Sequence, residues 1–298
     1  MNQKTQGNIM LLITAIIWGS GFIAQSLGMD FVDPFTFNMT RNYLAFIVLI
    51  PVVWFFRKIS LKDAPLSKDE QRCLNKRSVI GGIFCGLALG IASAFQQVGI
   101  SMTTAGKAGF ITALYIILVP ILGIFIGKKI PRIIWLCVII AVIGFYLLCV
   151  KEGFSISTGD LLCLACAICF SFHILIIDHF SAQHTDGVMM SWIQFGVAGI
   201  FSMILTFIFE VPTLTGIWNA KLAIIYAGCI SSCVGYTLQI LAQKKTDPTV
   251  ASLLMSLESV FAALFGWLIL HEVLSIKELI GCALVFIAVI LAQLPTST

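Results

Sequence analysis

The sequence predicts an all-α integral membrane protein in which ten transmembrane helices form two inverted five-helix repeats. Three observations lead to this fold class: a very apolar composition, ten apolar runs of spanning length, and an ordered similarity between the two halves of the chain. Of the 298 residues, 59% are hydrophobic and 11% are charged, whereas a soluble domain has about 45–50% apolar and about 25% charged residues. This composition excludes a soluble enzyme, a nucleic-acid-binding protein and a disordered scaffold.

Ten apolar runs each reach the roughly 20 residues that a helix needs to cross a bilayer. Numbered here as segments 1 to 10, they span residues 8–29, 34–56, 78–100, 105–127, 131–150, 158–177, 187–209, 219–241, 248–270 and 275–294. We interpret the first run as a retained helix, because its apolar stretch is too long for a signal peptide. No run shows the alternating pattern of a barrel strand, so all ten are predicted to be helical.

Short polar turns separate the segments, and proline marks several helix starts. Pro34 and Pro248 lie at the start of segments 2 and 9, where the missing amide hydrogen costs little. The one long loop, 57–77, contains the capping-box pattern Ser67-Lys68-Asp69-Glu70, which predicts a short surface helix. Pro120 lies inside segment 4 and predicts a kink there.

The distribution of lysine and arginine predicts the orientation. Most of the 18 Lys and Arg residues fall in the N-terminal tail, the loop 57–77 and the turns 128–132 and 244–245. Cytoplasmic loops of membrane proteins carry such an excess of positive charge. We therefore expect a multi-pass protein of the cell (inner or plasma) membrane with both termini in the cytoplasm.

The two halves of the chain match in order through all five segments. Polar residues of equal spacing carry the match: Asp33 and Arg41 with Asp186 and Gln194, and Gln97 and Thr104 with Gln239 and Thr246. Because five is odd, the second half enters the membrane from the opposite side, which is the inverted-repeat architecture of alternating access. We predict the first repeat over residues 1–150 and the second over 151–298.

Several motifs resemble those of a known family. They are Trp18-Gly19-Ser20-Gly21-Phe22, Arg41, and Leu257-Glu258-Ser259-Val260-Phe261-Ala262-Ala263-Leu264 followed by His271-Glu272. With them, nearly the whole chain resembles the ten-helix EamA-domain branch of the drug/metabolite transporter superfamily. Ser259 stands where that family usually has proline, which predicts a less kinked segment 9. The resemblance implies transport of a small solute through a central cavity lined by segments 1–4 and 6–9.

Ionisable residues within the membrane are the first candidates for the site, because each costs about 2.5–3.5 kcal/mol to insert. Glu258, near the middle of segment 9, is predicted to bind a cation, to exchange a proton for solute, or to lock one state through an internal pair. For Arg41 three roles remain open: binding a carboxylate, pairing with an acid, or extending to the membrane interface. For His173 two roles remain open: a hydrogen-bonded packing residue or a proton carrier.

Glutamines and aromatic residues complete the predicted substrate-binding site. Stripes of small residues on segments 3 and 8 predict close helix packing, and each stripe ends in a glutamine, Gln97 and Gln239. We expect this pair to face one cavity from opposite repeats, and Gln194 joins the candidates as the counterpart of Arg41. The aromatic candidates, each of which also fits a packing role, are Trp18, Phe22, Phe95, Tyr115, Trp192 and Tyr236.

No sequence motif indicates catalysis. Cys163, Cys166 and Cys169 are spaced like metal ligands but lie in an apolar helix without partner ligands, so we expect neither a cofactor nor a metal site. Without a nucleotide-binding motif, a secondary mechanism is favoured. The predicted partners are a small-molecule solute, the lipid bilayer and a coupling proton or sodium ion, with no nucleic acid; a homodimer is left open.

The sequence therefore predicts a secondary transporter that moves a small organic solute, such as an amino acid, a metabolite or a drug-like compound, by alternating access. Export is preferred over import. Two alternatives remain: an importer of a nutrient or organic cation, and an integral-membrane enzyme or lipid-handling protein.

Overall fold

The structure, a computed structural model, describes residues 2–63, 67–103, 105–149, 157–270 and 275–293, and all regular secondary structure in these ranges is helical. The first half contains α1 (Gln3–Gly28), α2 (Pro34–Asp63), α3 (Lys68–Met102), α4 (Ala105–Thr112), α5 (Tyr115–Phe125) and α6 (Arg132–Cys149). The second half contains α7 (Thr158–Ser181), α8 (Gly187–Phe209), α9 (Leu214–Asn219), α10 (Lys221–Ile225), a π-helix (Tyr226–Tyr236), α11 (Thr237–Gln243), α12 (Pro248–Met255), α13 (Glu258–Leu270) and α14 (Ile276–Gln293). The motif residues His271 and Glu272 and the matched Thr104 lie outside the described ranges.

Eight helical stretches in the described part of the chain are long and apolar enough to cross a membrane. They are Gln3–Gly28, Pro34–Ile59, Lys68–Met102, Ala108–Phe125, Thr158–Ser181, Gly187–Phe209, Lys221–Gln243 and Pro248–Ile269. Predicted segments 5 and 10 correspond to α6 and α14, which pack against each other. Gly144 permits this contact, because a Cβ atom there would lie 2.8 Å from the backbone oxygen of Gly281.

The predicted capping box is present, but it does not start a short surface helix. The Ser67 hydroxyl accepts a hydrogen bond from the Glu70 amide, and the Glu70 carboxylate accepts one from the Ser67 amide. The helix that begins here is α3, which continues for 35 residues to Met102. No proline interrupts this stretch, so the polar first turns and the apolar span form one helix.

Predicted segments 4 and 9 are both broken near their middle. A turn at Ala113–Leu114 separates α4 from α5, and a turn at Ser256–Leu257 separates α12 from α13. Pro120 lies within α5, after the first break. The second break forms although Ser259 replaces the family's proline, so segment 9 is interrupted without a proline at that position. Because each break falls between two short helices, it places helix ends deep inside the bundle.

Glycines allow the central helices to pack closely, as the small-residue stripes predict. Gly82, Gly86 and Gly90 on α3 face α8, and a Cβ atom at Gly86 would lie 2.7 Å from the Gln194 carbonyl oxygen. On the π-helix, a Cβ atom at Gly235 would lie 2.6 Å from the Trp18 ring nitrogen. Close backbone contact therefore fixes the rotation of these helices around the bundle interior.

The N-terminus of α2 is capped by Glu210, the residue that follows α8. One carboxylate oxygen accepts a hydrogen bond from the Phe35 amide, and the other accepts bonds from the amide and hydroxyl of Thr36, all at 2.7 Å. A carboxylate here pairs otherwise unsatisfied amides and interacts favourably with the helix dipole. The cap therefore ties the start of α2 to the end of α8.

Replacing Glu210 by alanine is expected to lower the free energy of unfolding by about 1–2 kcal/mol, because helix-cap and charge-assisted hydrogen bonds are lost. Reversible unfolding of the purified protein in detergent measures this change. Asp30→Ala, at an exposed acid in the turn before α2, is the control and should change stability little. Equal losses in the two variants would contradict the capping role.

Candidate functional site

A cavity inside the bundle is formed by both halves of the chain. Its volume of about 30 Å³ has room for about two water molecules. Its wall consists of Trp18, Phe22, Gln25, Arg41, Gln96, Tyr115, Phe170, Ile174, Ser231, Tyr236, Gln239, Met255 and Glu258. In this conformation the space is too small for an organic metabolite.

The cavity brings together most, but not all, of the predicted site residues. Those on its wall are Trp18, Phe22, Arg41, Tyr115, Tyr236, Gln239 and Glu258. The other three, Gln97, His173 and Gln194, are buried but are not among the wall residues.

The two broken helices meet at the cavity through Tyr115 and Glu258. Each is the first residue after its break, Tyr115 in α5 and Glu258 in α13. The Tyr115 hydroxyl donates a hydrogen bond to a Glu258 carboxylate oxygen at 3.0 Å. Glu258 therefore lies at a helix N-terminus, not within a continuous helix as predicted. Such an end favours a negatively charged group.

Arg41 enters the cavity wall from α2 and is held by Gln25 of α1. Its guanidinium donates a hydrogen bond to the Gln25 side-chain oxygen at 3.0 Å, and the Gln25 amide nitrogen donates to the Gly21 carbonyl. Arg41 is only 5% exposed, so its side chain points into the bundle and does not extend to the membrane interface. Its Nε atom has no hydrogen-bond partner among the described residues.

His173 and Gln194 form a pair behind the cavity wall. His173 Nε2 and the Gln194 side-chain oxygen are 3.1 Å apart. The imidazole also makes edge contacts with the wall residues Phe170 and Tyr236, at centroid distances of 6.2 and 5.9 Å. The pair therefore supports the aromatic wall, and the structure does not bring it to the cavity surface.

The glutamine of α3 that lines the cavity is Gln96, whereas Gln97 was predicted there. Gln97 is fully buried, and neither of its amide atoms has a hydrogen-bond partner in the described part of the chain. The small-residue stripe that contains Gln97 packs against α8 instead of facing the cavity, as the contacts of Gly86 show. Neighbouring residues of a helix point about 100° apart, so this rotation brings Gln96 to the wall.

A chain of amides closes one side of the cavity. The Gln239 side chain donates to the Gln243 side-chain oxygen at 3.2 Å, and Gln243 donates to the Ile174 carbonyl oxygen at 3.0 Å. This chain connects α11 to α7. The Gln239 side-chain oxygen has no partner among the described residues, so it remains available to a bound molecule.

The remaining sequence candidates have packing positions. Trp192 stacks on Phe46 with ring centroids 5.2 Å apart, and Phe95 is a partly buried residue packed on the apolar core. Cys163 and Cys166 are fully buried free thiols. Within the described ranges, no group of three or more His, Cys, Asp or Glu side chains is placed to hold a metal ion.

Six wall residues were not predicted as part of the site, and two of them, Gln25 and Gln96, carry side-chain amides. Gln25 follows Trp18 and Phe22 at the spacing of one helix face, and this pattern was the available signal for it. To predict Gln96, one must know the rotation of α3 about its own axis. That rotation depends on how closely the α3 glycines approach α8.

Apolar helices of spanning length around a polar interior cavity define a multi-pass membrane protein. The model of the EamA-like transporter family matches residues 5–150 and matches again over residues 157–294. The chain belongs to the EamA-like transporter family.

Curated relatives share most of their length with this chain. An uncharacterized transporter of Archaeoglobus fulgidus is 30% identical over 98% of this chain and 87% of its own. The uncharacterized transporter YoaV of Bacillus subtilis is 22% identical over 92% of each chain. One crystal structure has the same fold, with a TM-score of 0.76, 17% identity and coverage of 97% of this chain and 96% of its own. The family and these relatives indicate a transporter and not an enzyme.

Proposed function

We propose that the protein is a secondary transporter that moves a small organic solute by alternating access. The observation that carries this proposal is the interior cavity at which the two broken helices meet through Tyr115 and Glu258. Transporter sites form near the membrane midplane where discontinuous helices expose helix ends. Trp18, Phe22, Arg41, Tyr236 and Gln239 would complete the binding surface, and the His173–Gln194 pair would support it from behind.

The proposed architecture is ten transmembrane helices in two inverted repeats, residues 1–150 and 151–298. In this arrangement α6 and α14 are the fifth helix of each repeat and lie at the periphery. The corresponding breaks in segments 4 and 9 support the repeat, because Tyr115 and Glu258 occupy the same position after their breaks. The two separate matches to one family model support it as well.

An ion pair near one end of the bundle and a hydrogen bond near the other support a closed conformation, intermediate between conformations open to either side of the membrane. Lys128, after α5, forms an ion pair with Asp178 of α7 at 2.6 Å. At the opposite end of α7, Asp160 accepts a hydrogen bond from Thr103 at 2.9 Å. We propose that alternating access breaks the links at one end while those at the other end persist.

Cationic and aromatic residues at both ends of the bundle support the proposed membrane position. Lys58 lies over the Trp54 ring at 5.1 Å near the end of α2, and Lys221 lies over the Trp218 ring at 4.4 Å beside α9. Such residues concentrate at membrane–water interfaces. We propose that the protein lies in the cell membrane. If the loops rich in Lys and Arg face the cytoplasm, both termini lie on the cytoplasmic side as well.

Transport would be driven by a proton or sodium gradient, with export as the proposed direction. Import of a nutrient or organic cation is the second candidate, favoured by a carboxylate, Glu258, in a cavity with aromatic walls.

Flux into and out of proteoliposomes tests the proposed function. We expect at least one member of a panel of amino acids, organic cations and drug-like amines to move faster than in protein-free vesicles when a pH or sodium gradient is imposed. Reversing the gradient should reverse net flux. A labelled phospholipid in the same vesicles tests lipid handling. If no solute moves under any gradient while the lipid changes leaflet, the transporter proposal is wrong.

A further inference from the structure

A groove on the outside of the bundle lies where α9 meets α10. The two helices join at Ala220, which ends α9 and precedes α10. The groove is lined by Leu214, Ile217, Trp218, Lys221, Ile224 and Ile225 and has a volume of about 390 Å³. This volume is within the range of about 300–1,000 Å³ that is usual for ligand sites. The groove shares no residue with the central cavity, so it is a separate place at which a molecule could bind.

The groove has a packed floor and an exposed rim. Ile224 belongs to a small buried apolar cluster with Phe37 of α2, and Ile217 packs against the same cluster. On the rim, the side chains of Leu214 and Trp218 are 86% and 67% exposed. The contact with α2 therefore holds the floor in place, while the rim presents apolar side chains to the surroundings of the protein.

The membrane spans define the level of the groove in the bilayer. Lys221 is the first residue of the span Lys221–Gln243, and lysine at the end of a span lies at the level of the lipid headgroups. Glu210, which precedes α9, caps the start of α2 and so lies at the same end of the bundle. Ile225 is four residues further along the span, about 6 Å deeper at 1.5 Å per residue. The groove therefore extends from the headgroups towards the acyl chains.

The charge of the groove is concentrated at its headgroup end. Among the residues that line it, Lys221 is charged and the other five are apolar, so the wall contains no acidic side chain. The Lys221 Nζ atom lies 4.4 Å from the centroid of the Trp218 ring, which holds the ammonium group beside the groove. Within the described part of the chain, Lys221 forms no ion pair. A lysine at this level attracts anionic lipids.

We propose that the groove is a binding site for an anionic phospholipid, whose phosphate binds Lys221 and whose acyl chain lies along Ile217, Ile224 and Ile225. The polarity of the groove matches that of such a lipid, with a cation at the headgroup level and an apolar floor below it. A zwitterionic phospholipid has its own ammonium group, which offsets the attraction to Lys221. The inference depends on the position of the bundle in a membrane and not on the proposed transport function.

Quenching of tryptophan fluorescence by brominated lipids tests the proposal. The full-length protein is reconstituted into phosphatidylcholine vesicles that contain increasing fractions of brominated phosphatidylglycerol or brominated phosphatidylcholine. The difference in emission between the protein and its Trp218→Phe variant isolates the signal of Trp218 from those of the other five tryptophans. We expect brominated phosphatidylglycerol to quench Trp218 at a mole fraction about fivefold lower than brominated phosphatidylcholine, which is the effect of one lysine near a membrane surface. Equal quenching by the two lipids means ordinary boundary lipid and overturns the proposal.

Variants of Lys221 assign the preference to its charge. Lys221→Gln should remove the preference for the anionic lipid, whereas Lys221→Arg should retain it. Lys58→Gln is the matched control, because Lys58 lies over the Trp54 ring at 5.1 Å near the opposite end of the bundle; this variant should keep the preference at Trp218. A preference that survives in Lys221→Gln, or that is lost equally in Lys58→Gln, overturns the proposal.

Glycerol 3-phosphate tests whether the acyl chain is needed. This soluble compound carries a phosphate without a chain, so an excess of it should leave the quenching by brominated phosphatidylglycerol unchanged. If it displaces the brominated lipid, a phosphate alone is the ligand and the groove is not a lipid site. If neither brominated lipid quenches Trp218, another occupant, such as a second copy of the chain, covers the groove and the proposal is wrong. None of these measurements depends on solute flux, so absence of transport would overturn the proposed function and leave the lipid site standing.

Discussion

Replacing Glu258 by glutamine is expected to reduce gradient-driven transport about tenfold or more while the protein remains folded in the membrane. Glutamine keeps the size of the side chain and an oxygen that can accept the Tyr115 hydrogen bond. It removes the negative charge, which is the feature that binding a cation or a proton requires. A charge-assisted hydrogen bond contributes about 1.5–3 kcal/mol, and 1.4 kcal/mol corresponds to a factor of ten.

Flux in proteoliposomes across a range of pH values measures the effect, with membrane abundance and thermal unfolding as tests of folding. Glu278→Gln is the matched control, because that carboxylate caps α14 through Ser275 and is not on the cavity wall. The control should transport normally. A Glu258→Gln protein with the normal rate and an unchanged pH profile would show that Glu258 is only a buried hydrogen-bonding group.

Solute exchange without a gradient distinguishes two roles of the Glu258 carboxylate. If the residue only couples a proton to transport, Glu258→Gln should still exchange labelled for unlabelled solute. If it binds the cationic group of the solute, exchange should fall together with net flux.

The fold class could be predicted because the membrane imposes strict rules on sequence. Apolar runs of sufficient length must become helices, since backbone groups cannot remain unpaired in lipid. The membrane also made Glu258 and Arg41 recognisable in the sequence. Inserting a charged residue within an apolar run costs free energy, so such a residue indicates a functional role. Both residues line the cavity in the structure.

Other features depend on contacts between helices and could not be predicted from local sequence. The turn at Ser256–Leu257 contains neither proline nor glycine. The local sequence therefore has no helix-breaking residue from which a helix start at Glu258 could be predicted. The π-helix Tyr226–Tyr236 likewise has no local signature. The exchange of Gln97 for Gln96 at the cavity reflects a rotation of α3 that its contacts with α8 determine.

The crossing of α1 and α13 explains why the motif around Trp18 contains glycine. A Cβ atom at Gly19 would lie 2.5 Å from the Phe261 Cβ, 2.8 Å from the Glu258 carbonyl oxygen and 2.9 Å from the Ala262 amide nitrogen. Two of these atoms belong to the backbone and cannot move by changing a rotamer. Gly19 therefore allows α1 to touch the first turn of α13, directly beside the cavity.

Gly19→Ala is therefore expected to lower the free energy of unfolding by about 1–3 kcal/mol, the usual effect of overpacking. Transport should fall further than membrane abundance, because separating α1 from α13 displaces Trp18 relative to Glu258. Gly123→Ala is the matched control: it lies within α5, where an added Cβ atom meets its nearest neighbours at 3.8 Å, so alanine should be neutral or stabilising. Thermal unfolding and proteoliposome flux of both variants measure the difference. If Gly19→Ala is as stable and as active as Gly123→Ala, the backbone contact between α1 and α13 does not hold the site together.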